Sequence, residues 1–403
     1  MKVFEKEGDM CVPIMCWADE IEDGALEQAK NLSTLPFVKG RVVLMPDVHQ
    51  GYGMPIGGVI ACEDVIIPNA VGVDIGCGMV TVPTNMSIHD IPKNELKPTL
   101  RKAMEKIKKA VPVGFNVHNE AQECKLFEGG QYKAGWTTEK NWDRATKSLG
   151  TLGGGNHFIE IQMEEHQDAK IWIMIHSGSR NLGKVIADYY HRKALEECHR
   201  WNLKIPTEDL AFLHTSSPFA DLYLQDMSFA LQFAVENRNS MLSTVKKVLT
   251  EMFEGIKFGN EINIHHNYAN LEKHMGKDLW VHRKGATSAK KDQFGIIPGS
   301  MGTPSYIVLG KGNLLSFNSC SHGAGRSIGR MAASRKFTTD ECDKIMGDVV
   351  FDRWNKIKRG KMKGKYDLGE APLAYKDIDK VINNQLDLVS IYTKLLPLAV
   401  VKG

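Results

Sequence analysis

Asp74 and Cys77 lie three residues apart in the apolar run AVGVDIGCGMV, residues 70–80. A buried cysteine is usually only a small hydrophobe. A carboxylate in the same run is harder to accommodate, because burying it unpaired is expensive. A cation held by both side chains would remove that cost, and Gly72, Gly76 and Gly78 let the backbone bend so that they converge. Three further stretches carry histidine in comparable settings. His157 follows the glycine-dense turn of GTLGGGNHFIEIQM (150–163), whose spacing matches neither the P-loop nor the dinucleotide-binding loop. His176 ends the apolar stretch of IWIMIHSGSR (171–180), followed by Arg180, whose planar fork suits a phosphate. In INIHHNYA (262–269), adjacent strand residues face opposite ways, so one of His265 and His266 is structural.

Asp74, Cys77, His157, His176 and one of that histidine pair make five candidate ligands, all at turns or ends of β-like runs. Together they favour a metal centre. Thiolate with imidazole suggests zinc on softness, while the carboxylate admits manganese or iron. If Cys77 bridges, two ions about 3.5–4 Å apart would suit phosphoryl chemistry. A separate candidate is His322 in SFNSCSHGAGRSIGR (316–330), set among small residues with no acidic residue near it in sequence. An exposed imidazole suits covalent phosphoryl or nucleotidyl transfer. Upstream, GIIPGSMGTPSYI (295–307) adds Ser300, Ser305 and glycines, the makings of an anion-binding turn.

The chain that must position these groups has 403 residues, 42% hydrophobic and 25% charged, enough for a large buried core. A net charge of +3 excludes a polycation that coats nucleic acid, though not a local basic groove. The charged start MKVFEKEGDM lacks a signal-peptide core, and no run approaches the ~20 apolar residues of a membrane span. Eight scattered cysteines without CxxC pairs read as reduced thiols, so a cytoplasmic protein is expected. Strands are expected at 157–163 and 170–176, a helix or two over 87–110, a long helical stretch over about 183–253 broken near Pro206 and Pro218, and a polar surface insertion at 118–147. Mostly polar, helical sequence is expected to finish the chain. Without regular strand–helix alternation, the expected class is α+β with layered sheets and surrounding helices in one domain, 1–403.

The motifs PDVHQGYGMPIGG (46–58), GVDIGCGM (72–79), GTLGGGNHFIE (150–160), HSGSR (176–180), HHN (265–267), PGSMG (298–302), HGAGR (322–326), AYKDID (374–379) and the terminal VKG (401–403) together resemble the RtcB-type RNA-splicing ligases. The resemblance spans nearly the whole chain and is weakest over 118–147 and 330–370. It implies an RtcB-like fold and a GTP- and manganese-dependent enzyme that joins RNA 3′-phosphate or 2′,3′-cyclic phosphate ends to 5′-hydroxyl ends, in tRNA splicing or RNA repair. A histidine–GMP intermediate and an RNA 3′ end activated with GMP are implied. On this chain the nucleophile would be His322. One manganese ion would be held by Asp74, Cys77 and His157, the other by Cys77, His176 and His266. The GTP site would include Asn156, His157, Phe158, Ile159, Glu160, His266, Asn267, Pro298, Gly299, Ser300, Met301, Ser305, His322, Gly323, Ala324, Gly325 and Lys402. An archease-type activator is an expected partner, beside RNA, and a monomer is expected.

Arg180, Asp47 and His49 are expected to contact the RNA ends. The family's glycine after HSGSR is Asn181 here, the residue that best replaces glycine in a left-handed turn. The basic run KIKRGKMKGK (356–365) is compatible with RNA binding but reads more readily as a solvated face. Two other readings compete. A metal-dependent phosphoesterase would need no histidine nucleophile, and a non-catalytic RNA-end-binding protein would bind RNA without His322.

Overall fold

The computed structural model describes residues 1–128, 139–358 and 360–403. Two large sheets form its centre. One has six strands in the order Lys2–Phe4, Ile14–Cys16, Val38–His49, Ile56–Cys62, Lys277–Lys284, Asn267–His274. The other has seven: Ile262–His265, Gly78–Ser87, Lys170–Ser177, Phe158–Glu164, Val389–Lys402, Ser305–Gly310, Phe294–Ile297. All neighbouring pairs are antiparallel except Ile14–Cys16 with Val38–His49.

The run VVLM (42–45) explains the layering. A strand covered on both faces has no polar face, so it reads as a continuous hydrophobic run. Val42 and Leu44 pack with Ala25, Ala29 and Leu32 of the helix Asp23–Ser33. Val43 and Met45 point the other way and pack with Ile297, Tyr306 and Val308 of the second sheet. The far face of that second sheet, with Ile159, Ile173 and Ile175, is covered by the helices Leu96–Ala110 and Pro218–Met252. Helix, sheet, sheet and helix thus form one α+β stack, the class read from the sequence.

Most expected elements are present. The long helical stretch is broken at 201–217, as expected near Pro206 and Pro218, and Pro218 opens the 35-residue helix Pro218–Met252, as a residue without an N–H does at no cost in a first turn. Asp74 and Cys77 lie in a turn between the short helix Pro68–Val71 and the strand Gly78–Ser87, in keeping with ligands at turns and strand ends. One expectation fails: the chain ends in the strand Val389–Lys402, not in helix. VSIYTKLLPLAVVK is rich in β-branched and aromatic residues, and its Pro397 falls at a shift in register with Phe158–Glu164, where a ladder tolerates proline. Part of the expected insertion at 118–147, residues 129–138, lies outside the described residues.

Candidate metal and nucleotide site

Register brings the candidate ligands together. Gly78 pairs with His265 on one side and Ser177 on the other, Phe158 pairs with His176, and Lys402 pairs with Phe158. Cys77, His157, His176, His266 and Lys402 therefore all emerge at the same end of the seven-stranded sheet. The chain then crosses at His266 into the six-stranded sheet, where Asn267 pairs with Lys284. The site lies at that crossing.

Asp74 and Cys77 converge through a turn closed by a hydrogen bond from Cys77 N–H to Asp74 O, 3.0 Å. Gly76 occupies its third position at φ +76°, where a side chain is strained, and an added Cβ would lie 3.0 Å from Ala234 Cβ. Two sets of donors result. Asp74, Cys77 and His157 place their ligand atoms within 4.8 Å of one another, and so do Cys77, His176 and His266. Cys77 belongs to both, with Sγ 3.5 Å from His157 Nε2 and 3.2 Å from His176 Nε2.

The hydrogen bonds behind the ligands decide which ring nitrogen faces the centre. His157 Nδ1 meets the carbonyl of Leu152 at 3.0 Å, and His176 Nδ1 meets that of Asn156 at 3.2 Å. A carbonyl only accepts, so both Nδ1 atoms carry the proton and both Nε2 lone pairs point inward, as metal-binding imidazoles are held. His157 Nε2 then faces Asp74 Oδ2 at 3.2 Å, acceptor against acceptor, and a cation held between them removes the conflict. His176 Nε2 faces His266 Nε2 at 3.4 Å, and His266 Nδ1 is buried with no partner among the described residues, so the His266 ring is free to donate from Nε2 to His176 until a cation takes both lone pairs. The donor set of three imidazoles, a thiol and a carboxyl thus fits divalent metal ions. Burial, and then Asp74, push the Cys77 thiol well above its usual range. Bound cations reverse that tendency and deprotonate a coordinating thiol outright. Burial would likewise raise Asp74, but its contact with His157 and the nearby Arg180 guanidinium bring the carboxyl below its ordinary value.

Arg238, fully buried on the long helix, braces the turn from behind. It donates to the carbonyls of Gly76 (3.0 Å) and Ser177 (2.9 Å), each adjacent to a ligand, and to Asn263 Oδ1 (2.8 Å). His265 sits on this side, its Nδ1 3.1 Å from Gly76 O, so it is the structural member of the pair, and His266 faces the cluster. Nothing near Arg238 in sequence marks it. Only its distance from water does.

His322 extends from the strand Ser319–Ser321, its ring centroid 4.8 Å from that of His266. The acidic partner absent from its sequence neighbourhood is supplied by Asp47, on the strand Val38–His49. Asp47 Oδ2 accepts the backbone N–H of His322 at 3.2 Å and meets ring Nδ1 at 2.6 Å. The ring proton is thereby placed on Nδ1, and the Nε2 lone pair is left free. The close approach depends on Gly325, at φ +73°, where an added Cβ would lie 2.2 Å from Asp47 O. Asp47, expected against RNA, is thus fully buried behind His322.

The residues expected around GTP divide. Asn156, Phe158, His266, Asn267, Pro298, Gly299, Ser300, Met301, His322, Gly323, Ala324, Gly325 and Lys402 line one open cleft, together with Asp74, Cys77 and His176. Ile159, Glu160 and Ser305 lie behind its wall, buried. Ser305 Oγ accepts from Gln162 Nε2 at 3.1 Å, and that amide also donates to Glu160 at 2.6 Å. Burial raises the Glu160 carboxyl to about 7. Lys402 is not a solvated tail: Nζ lies 3.5 Å from Glu370 and 5.6 Å from the Phe158 ring centroid. Glu370 also binds Arg326 (3.3 Å) and Arg330 (2.6 Å). Against its burial, Lys402 and Arg330 hold it down at about 2.

Arg180 does not line that cleft: it sits behind His157, in a small hollow with Asn141, Arg144 and Ser148, and donates from Nε to Thr151 Oγ1 (3.1 Å) and from Nη2 to Gly114 O (3.0 Å). Its own φ is +61°, while Asn181 begins the helix Asn181–Arg200. The left-handed residue is therefore Arg180, and the glycine-like reading of Asn181 does not hold. His49 lines the cleft. Lys284, Arg330, Arg335 and Glu370 also line it and carry no sequence signal beyond their type. All eight cysteines are free. Among the described residues no helix is long and apolar enough to cross a membrane.

The chain is 38% identical to the RNA-splicing ligase RtcB of Escherichia coli strain K12 over 419 aligned residues, covering 97% of each protein. It is 31% identical to the tRNA-splicing ligase RtcB of Pyrobaculum aerophilum (97% of this chain, 95% of the relative). It is 32% identical to that of Nanoarchaeum equitans (99% and 97%). The profile described as tRNA-splicing ligase RtcB matches residues 28–142 and 122–403, and on this evidence the chain belongs to the RtcB family of tRNA-splicing ligases.

Proposed function

We propose that this protein is a GTP- and manganese-dependent RNA ligase that joins 3′-phosphate or 2′,3′-cyclic phosphate ends to 5′-hydroxyl ends. The observation that carries the reading is His322: its Nδ1 is committed to Asp47, and its Nε2 is free beside two donor triads that share one thiol. His322 Nε2 attacks the α-phosphorus of GTP, a P–N bond forms, and pyrophosphate leaves. The proton stays on Nδ1, hydrogen-bonded to Asp47, whose carboxylate stabilises the cationic character that the ring gains. The guanylate then passes to an oxygen of the RNA 3′-phosphate, restoring the imidazole. The 5′-hydroxyl oxygen attacks that phosphate, loses its proton, and GMP departs. A cyclic phosphate is first hydrolysed to the 3′-phosphate.

Asp74, Cys77 and His157 would hold one manganese ion, and Cys77, His176 and His266 the other. The ions would supply positive charge where phosphate oxygens gather. Oxygen donors from phosphate and water favour manganese over the zinc that softness alone suggests. Lys402 and the 298–301 turn bind the nucleotide, with Arg326 and Arg330 adding charge at the cleft wall. We place the protein in the cytoplasm as a monomer, acting in tRNA splicing or RNA repair with an archease-type activator.

The test is incubation with α-phosphate-labelled GTP and manganese followed by a denaturing gel. Wild type takes up acid-labile label and His322→Ala takes up none, although it keeps its metal. A folded, manganese-loaded wild type that stays unlabelled even with archease would sink the reading and favour a phosphoesterase.

A further inference from the structure

One part of the cleft is not used by the nucleotide or the metal donors. Tyr52 lines it with 70% of its surface exposed, and Val73, beside the donor Asp74, lines it with 40% exposed. The tyrosine is not on a loose loop. The preceding Gly51 is gripped on both sides by the Gln28 amide, which accepts from its N–H at 3.1 Å and donates to its carbonyl at 2.7 Å. The carbonyl of Tyr52 itself accepts from Lys284 Nζ, which also donates to Asn69 O at 3.0 Å. The Lys284 stem in turn lies against Gly72, 3.4 Å from where a Cβ would stand. The backbone of Tyr52 is thus tied to the segment that leads into Asp74, while its ring is left bare. The cleft has a volume of about 1020 Å³, at the upper limit of the ~300–1,000 Å³ typical for one small ligand.

Resting on the ligase reading above, we infer that the Tyr52 ring is the stacking platform for the terminal nucleobase of an RNA end, seating that end beside Asp74. An aromatic face accepts every base, because every base has a π-face. A ligase that joins ends of varied sequence needs such a contact, not a hydrogen-bonded edge that selects one base. Lys284 stays with the carbonyls of Tyr52 and Asn69 and acts through the loop.

The experiment measures equilibrium binding of short 3′-phosphate and 5′-hydroxyl RNAs to wild type, Tyr52→Ala and Tyr52→Phe. Kd and the KM of joining should rise about ten-fold in Tyr52→Ala, with kcat at saturating RNA little changed and the phenylalanine variant close to wild type. A matching set replaces the terminal nucleotide with an abasic one. On wild type this should weaken one RNA by the same factor, which identifies the end that stacks. On Tyr52→Ala it should add nothing. Equal binding by wild type and Tyr52→Ala, or no effect of either abasic end on wild type, overturns the inference and leaves the ligase reading intact. A wild type that binds RNA but takes no label from GTP sinks the ligase reading instead, while the binding comparison still decides the role of Tyr52.

Discussion

Replacing Asp47 tests how His322, the nucleophile proposed above, is activated. Asp47 Oδ2 receives two donors from the same residue, the backbone N–H and ring Nδ1 of His322, while Oδ1 is buried with no partner among the described residues. An asparagine has one way to fit. With its oxygen at the Oδ2 position it keeps both hydrogen bonds, and its NH2 takes the place of the unpartnered oxygen. Inverted, the NH2 would face a backbone N–H, donor against donor. The backbone therefore forces the amide oxygen toward Nδ1, and the tautomer with Nε2 free survives. What is lost is charge. Hydrogen bonds to charged groups contribute ~1.5–3 kcal/mol against ~0.5–1.5 for neutral ones, a difference of about 1.4 kcal/mol or ten-fold in rate. Asp47→Ala removes both bonds and the constraint on the tautomer, so about 3 kcal/mol and a hundred-fold loss are expected. The assay is single-turnover labelling of His322 from α-labelled GTP at saturating manganese. If the asparagine variant is as slow as the alanine variant, the amide has inverted and the tautomer argument is wrong. If both label at the wild-type rate, Asp47 has no part in activating His322.

Two further outcomes follow from the geometry. Cys77→Ala should strip manganese from both triads at once, whereas Asp74→Ala or His266→Ala should empty only one. Elemental analysis after dialysis distinguishes them, and a Cys77→Ala protein retaining as much metal as the single-triad variants would contradict a shared thiol. Acid stability should depend on His282, which is fully buried, accepts the N–H of Ile67 at Nε2 (3.1 Å) and donates from Nδ1 to Trp280 O (3.0 Å). Burial lowers its pKa from 6.5 to about 4. The unfolded chain therefore binds the extra proton between those values, and stability is full above pH 6.5 and falls as pH drops toward 4. About 2 kcal/mol should be lost between pH 6.5 and 5. Urea midpoints of wild type and His282→Gln at the two pH values check this, and an unchanged slope in the variant would assign the loss elsewhere.

The sequence by itself determined the candidate donors and the local turns. A carboxylate and a thiol around a glycine, in D-I-G-C, dictate a tight turn that points both inward, because the left-handed position admits glycine at little cost. Adjacent His265 and His266 had to face opposite ways, and they do. The final strand was missed: the polar sequence at 375–388 read as helix to the end, although the β-branched residues of 389–402 carried a signal for it. What only the tertiary structure decided is which groups share a centre and which nitrogen each presents. Asp47 and His322 are 275 residues apart, and no periodicity links them. The proton positions on His157 and His176 are set by the carbonyls of Leu152 and Asn156, which exist as partners only once the glycine loop has folded back on the sheet. Arg180 shows the converse: its type suits a phosphate, but packing sets it outside the lining of the cleft, with Nε bonded to Thr151 and Nη2 to Gly114. Residue type fixes what a side chain can do, and long-range packing, through hydrogen bonds that burial makes obligatory, fixes which of those things it does.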